Sequence, residues 1–65
     1  MNAKTILTKN VNEFKNLFDR ETADGGLHIC LGKVLLATQL GLITIYEMEY
    51  YTDLFFQEHN EVINR

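Results

Sequence analysis

Apolar residues in the first third of the chain recur at the spacing of an amphipathic helix. The residues that share this face are Leu7, Val11, Phe14 and Phe18, with Leu17 beside them. Asn10 can serve as the N-cap, because Glu13 three residues later can return a bond to its backbone. We expect this first helix to end before Asp24-Gly25-Gly26, a strong loop signal.

The second apolar segment, Leu27 to Leu40, carries apolar residues on most of its sides. A run of this length exceeds a typical strand, so we interpret it as a buried helix at the centre of the domain. Its first residues alternate in strand fashion, and a short strand at 27–31 remains the alternative. Gly32 inside a helix costs about 1 kcal/mol relative to Ala, which predicts that another backbone packs closely there.

The strongest local signal joins the second helix to a third. Gly41 is well placed to end the second helix in the left-handed conformation. Thr44 and Glu47 have the spacing of a capping box, in which each side chain bonds the other residue's backbone N–H. The pattern predicts a third helix from Ile45 to about Ile63, antiparallel to the second.

The third helix carries two apolar stripes. The stripe expected to meet the core consists of Met48, Tyr51, Phe55 and Val62. Tyr46, Tyr50 and Leu54 form a second stripe, displaced around the helix axis and flanked by Glu49 and Asp53. Three short helices can cover one such stripe but hardly two, so we predict an interface at these five residues. A partly wet rim of the core is the alternative.

Composition places the chain among small folded domains. It has 65 residues, of which 46% are hydrophobic and 23% are charged. A core this small is marginal unless a disulfide, a metal or another subunit adds to it. One cysteine excludes an internal disulfide, and with two histidines it matches no zinc signature. We therefore expect association, either as a homodimer or with another protein.

Negative charge is concentrated in the last third of the chain. Residues 44–65 carry one basic residue, Arg65, and five acidic ones: Glu47, Glu49, Asp53, Glu58 and Glu61. Proteins that bind nucleic acid neutralise phosphates with Lys and Arg. The third helix has the wrong sign for that role, so we expect no nucleic-acid partner.

Candidate catalytic and metal-binding groups are few. His28 and Cys30 would share a face in a strand but point apart in a helix, and no orienting residue accompanies them. His59 is interpreted as a solvated residue near the end of the third helix. Glu47 and Glu49 diverge on a helix, which disfavours acid–base chemistry. We predict no catalytic residue, cofactor or metal, and we expect that the chain is not an enzyme.

The sequence also bears on the cellular compartment. Its N-terminus lacks the apolar run of a signal peptide, and a lone thiol suits a reducing compartment, so we expect a cytoplasmic protein. The candidate for a membrane span is Leu27 to Tyr46. Its uncharged part, Val34 to Tyr46, is well short of the roughly 20 apolar residues that a span needs. We expect no membrane association.

The run Leu36-Ala37-Thr38-Gln39-Leu40-Gly41-Leu42 resembles the first helix and turn of a DNA-binding helix-turn-helix. That family places an aliphatic residue six positions after the glycine, where this chain has Glu47. The exposed positions Glu49 and Asp53 also lack the Arg, Lys, Asn or Gln that contact base edges. A DNA-binding regulator is therefore the alternative function.

The stretch from Leu40 to Glu47 resembles the Gly-Leu-Ile-Thr-x-x-Glu helical hairpin of SHOCT-like short domains, which recur in bacterial and mobile-element proteins. This chain lacks the basic residues that commonly follow in that family. The resemblance implies an interaction module and no activity, and the small acidic format is similar to phage or mobile-element accessory proteins. We therefore expect residues 1–65 to form one all-α, three-helix domain that binds and modulates a host protein.

Overall fold

The computed structural model describes residues 2–65, which form three helices: α1 (Ala3–Leu17), α2 (Ala23–Gln39) and α3 (Ile45–Ile63). The all-α prediction is confirmed. Within the described part of the chain there is no strand, so the alternative of a strand at 27–31 is wrong. α2 and α3 share the most extensive contact and run antiparallel, with Asp24 at the start of α2 bonded to His59 near the end of α3.

All three helices contribute to one core. Its buried residues are Leu7, Val11, Phe14, Ala23, Leu27, Cys30, Val34, Ala37, Ile43, Tyr51, Phe55 and Val62. The Phe14 ring lies at the centre, with its centroid 4.9 Å from that of Phe18 and 6.3 Å from that of Phe55. The core stripe predicted for α3 is confirmed, with Met48 packed at its edge.

The start of α1 corrects the prediction that Asn10 caps this helix. The N-cap is Asn2, whose Oδ1 accepts a hydrogen bond from Thr5 N at 2.8 Å. Asn10 lies inside the helix and donates from its side chain to the carbonyl of Ile6 at 2.6 Å. An Asn side chain can bond the backbone either at a cap or four residues back. Starting the helix earlier buries Leu7 on α1.

The connection between α1 and α2 lies at Phe18–Thr22, so the loop predicted at Asp24-Gly25-Gly26 is wrong. These three residues form the first turn of α2. The Asp19 carboxylate closes the connection by accepting hydrogen bonds from Glu21 N at 2.9 Å and from Thr22 N at 3.0 Å. The bonds from Thr22 and Glu21 hold the pKa of Asp19 below its usual value.

Close packing against a glycine occurs at Gly26, not at the predicted Gly32. A Cβ on Gly26 would lie 2.6 Å from the Phe18 ring, whereas a Cβ on Gly32 would meet nothing within 4 Å. The chain therefore uses Gly26 to let Phe18 reach the core at the end of α1.

α2 is not the helix buried all round that its composition predicts. Ile29, Leu35 and Leu36 on the helix are exposed, and so is Leu40 at its C-cap. In a three-helix domain each helix meets two neighbours, so one side of every helix faces water. Nothing in the described chain covers that side of α2.

The turn between α2 and α3 confirms the prediction. Gly41 adopts φ +73°, and its N–H donates to Thr38 O at 3.0 Å. Leu42 N donates to Ala37 O at 2.9 Å, which completes a Schellman motif. Glu47 N then donates to Thr44 Oγ1 at 3.1 Å, and Thr44 N donates to Glu47 Oε1 at 2.9 Å. This capping box begins α3 where predicted.

Candidate interaction surfaces

The outer side of α3 presents the predicted aromatic stripe to solvent. Tyr46 is 84% exposed and Tyr50 is 60% exposed, while Leu54 is half-buried and packs against the core. Glu49 and Asp53, on the same outer side, are exposed. We call these five residues the acidic aromatic face. Their exposure leaves these side chains accessible for contact with another molecule.

The acidic aromatic face packs on the buried side chain of Tyr51. The Tyr50 ring packs edge-on against Tyr51, with centroids 5.3 Å apart. The buried Tyr51 donates its hydroxyl to Lys4 O at 3.3 Å and shares a second hydrogen bond with Thr8 Oγ1 at 3.1 Å. α1 therefore fixes Tyr51, and Tyr51 supports the exposed ring of Tyr50.

The carboxylates on this face have no cation beside them. No ion pair within 4.0 Å among residues 2–65 involves Glu49 or Asp53. Glu47, in the first turn of α3, differs because Lys4 Nζ lies 2.7 Å from its Oε2. This contact lowers the pKa of Glu47 and raises the pKa of Lys4. Within residues 2–65, Glu49 and Asp53 therefore keep their negative charge without a neighbouring counter-charge.

A second apolar surface lies between α1 and α2 and was missed by sequence reasoning. It is a groove of about 170 Å³, lined by Ala3, Ile6, Leu7, Lys33, Leu36, Ala37, Leu40 and Leu42. The contact between α1 and α2 is the least extensive of the three helix pairs. The signal was present in the sequence, because α2 is apolar on more sides than two neighbouring helices can cover.

The two histidines occupy different environments. His28 is exposed while Cys30 is buried, so the helix separates them and they form no pair. His59 corrects the prediction of a solvated residue, because its side chain is largely covered and its Nε2 lies 2.6 Å from Asp24 Oδ1. This contact joins the start of α2 to the end of α3, which is a structural role.

Two further features are absent from residues 2–65: a cluster of metal ligands and a membrane-spanning helix. Nowhere in this range do three His, Cys, Asp or Glu side chains converge to hold a metal ion. No helix over the same residues is long and apolar enough to cross a membrane. No family model, curated protein or solved structure matches the chain.

Proposed function

We propose that this chain is a protein–protein interaction module that binds a basic surface of another protein through its acidic aromatic face. The observation that carries the proposal is the exposure of Tyr46 and Tyr50 beside two carboxylates that lack a cation, Glu49 and Asp53. Tyrosines are enriched among the residues that dominate binding energy at protein interfaces. Uncompensated carboxylates steer a basic partner toward them and repel acidic ones.

The charge of this face also favours a different protein over a second copy of the chain. A twofold pairing of α3 would bring Glu49 and Asp53 of both copies together, and like charges at an interface are costly. Lys or Arg on a partner would neutralise them. The proposed partner is therefore a protein with a basic patch that matches residues 46–54 of α3.

The proposal extends to the biological role. The resemblance of residues 40–47 to SHOCT-like short domains and the small acidic chain support a role as an accessory protein of a phage or mobile element. This accessory protein would act in the cytoplasm. Such a protein modulates a host protein by occupying its surface and catalyses no reaction. The proposed mechanism needs no cofactor.

Charge reversal on α3 tests the proposal. The immobilised chain should retain a protein from a host lysate, and the retained protein is then identified and purified. Asp53→Lys and Tyr50→Ala should each weaken its binding about tenfold or more, as measured by calorimetry. Glu21→Lys is the matched control, because this exposed carboxylate lies in the α1–α2 connection. Equal binding by Asp53→Lys, Tyr50→Ala and the control would refute the proposal.

A DNA-binding regulator is the second candidate, favoured by the resemblance of Leu36–Leu42 to a helix-turn-helix and by the tight turn at Gly41. The position of Glu47, Glu49 and Asp53 on the helix after the turn weighs against it, because they would stand against phosphates. An electrophoretic shift with duplex DNA at low salt distinguishes the two functions. A salt-dependent shift that is abolished by substitutions on α3 would favour the DNA-binding regulator.

A further inference from the structure

The side of the molecule formed by α1 and α2 exposes aliphatic side chains that have no part in the proposed function. At one end lies the groove, with Ile6, Leu36, Leu40 and Leu42 exposed around it. At the other end, Leu17 on α1 and Ile29 on α2 are exposed. We call this surface the aliphatic face. It is apolar at both ends and contains no aromatic side chain among these six residues.

The middle of the aliphatic face carries charges of both signs. Lys33 Nζ donates to Asn10 Oδ1 at 3.3 Å, which places α2 beside α1 at this level. Glu13 and Lys9 lie in the same shallow depression as Lys33 and Asn10. Yet within residues 2–65 no ion pair shorter than 4.0 Å forms with Glu13, Lys9 or Lys33. Amines and a carboxylate thus line one depression, and none of them forms an ion pair within the described residues.

We propose that a second copy of this chain covers the aliphatic face, related by a twofold axis that runs along the face between α1 and α2. In such a pairing each contact occurs twice, so Lys33 of one copy meets Glu13 of the other and the reverse. α1 of each copy then packs on α2 of the other, so the two groove ends meet, and Leu17 of one copy packs against Ile29 of the other. This interface is separate from the acidic aromatic face, which stays free.

Charge complementarity selects a second copy as the occupant. A wholly basic partner surface would place like charges against Lys9 and Lys33, and a wholly acidic one would do the same to Glu13. The chain's own surface offers both signs in the required reciprocal arrangement. The aliphatic character agrees, because homodimer interfaces are more apolar than those of transient complexes. Burying these side chains also enlarges a core that a chain of 65 residues builds only marginally.

The first test compares two adjacent leucines on α2. Leu36 lines the groove and is 55% exposed, whereas Leu35 is 52% exposed and lies outside the groove. Sedimentation equilibrium of the full chain should give twice the chain mass. Leu36→Asp should raise the dimer dissociation constant about 100-fold, and Leu35→Asp should leave it within about threefold of the wild type. Circular dichroism verifies that both variants remain helical.

The second test exchanges the charges. Lys33→Glu alone should weaken the dimer about tenfold, because it faces Glu13 of the other copy, and Glu13→Lys alone should do the same. The double variant restores both reciprocal pairs in reversed sense, so its dissociation constant should return to near the wild-type value. Additive losses in the double variant would overturn the proposed pairing.

The outcomes separate this inference from the proposed function. A chain that stays monomeric at all concentrations, or a dimer that Leu36→Asp leaves intact, would overturn the aliphatic interface. A monomer whose binding to another protein depends on Leu36 would assign the face to that protein instead. Dissociation by Tyr50→Asp but not by Leu36→Asp would place the dimer on α3. Loss of partner binding in Asp53→Lys bears on the acidic aromatic face and leaves the dimer mass unchanged.

Discussion

Two connections join the three helices, and different forces close them. Between α2 and α3 the chain reverses direction through its backbone. Gly41 adopts φ +73°, and the N–H groups of Gly41 and Leu42 donate to carbonyls in the last turn of α2. Between α1 and α2 the Asp19 carboxylate accepts hydrogen bonds from the N–H groups of Glu21 and Thr22, beside one backbone bond from Thr22 N to Asp19 O at 3.2 Å. The Phe18 ring, packed at Gly26, then sets the distance between the two helices.

The difference separates a connection closed by local bonds from one that depends on the packing of two helices. The α2–α3 turn is complete within a short segment, because every bond that closes it joins neighbours along the chain. The Phe18–Gly26 contact forms only when α1 lies on α2 and the Phe14 ring supports it. We therefore expect the α2–α3 hairpin to tolerate disturbance of α1 better than α1 tolerates disturbance of its contact with α2.

The largest effect is expected at Gly26. In Gly26→Ala the added Cβ would overlap the Phe18 ring, which cannot withdraw freely because it packs against Phe14. The cost of overpacking exceeds the gain in helix propensity, so we expect a net loss of about 2 kcal/mol in unfolding free energy from urea titration. Gly32→Ala is the matched control and should stabilise the protein by about 1 kcal/mol. Equal changes at both positions would contradict the role of the ring contact.

A smaller effect is expected at the α2–α3 turn. Thr44→Ala removes the hydroxyl that accepts from Glu47 N and should lower the unfolding free energy by about 1 kcal/mol. Thr44→Ser keeps the hydroxyl and should recover most of the loss. If Thr44→Ala lies within the error of the urea titration, the capping box contributes nothing to the stability of the hairpin.

The smallest effect is expected from acid, and it involves both connections. The pKa values of Asp19 and Glu47 are lowered in the folded chain, Asp19 by hydrogen bonds from Thr22 and Glu21, and Glu47 by Lys4 and Thr44. Their contributions are therefore present above the ordinary carboxylate range and are lost as the pH falls through the lowered values. Glu47→Gln should flatten this part of the stability–pH profile, because it removes the ion pair with Lys4. An unchanged profile would show that the carboxylate charge is not coupled to folding.

The α2–α3 hairpin could be predicted from the sequence because its signals are local. Gly41, Thr44 and Glu47 act on backbone groups within a few residues, so their spacing is enough. The α1–α2 connection could not be predicted in the same way. Two glycines in a row suggested a loop, and the aromatic ring that makes Gly26 useful inside a helix lies in a different element. Asn10 likewise had the right spacing for a cap, but its position inside α1 follows from how much of the preceding chain packs.

The same distinction applies to the candidate surfaces. The grouping of the five residues of the acidic aromatic face follows from helical periodicity, because all five lie on α3. The aliphatic face combines side chains of α1, of α2 and of the turn that follows α2: Ile6, Leu17, Ile29, Leu36, Leu40 and Leu42. Its existence depends on how far apart two helices lie, which depends in turn on the size of the side chains between them. No pattern within either helix specifies that distance.

Cys30 gives the protein an internal reporter of its own motions. The chain has a single cysteine, its side chain is 3% exposed, and burial raises the pKa of the thiol. A thiol reagent can react with it only in molecules whose core has opened around α2. Where opening and closing are fast, each 1.4 kcal/mol in the free energy of opening changes the labelling rate about tenfold. Labelling of the unmodified chain therefore measures how often α1 or α3 parts from α2.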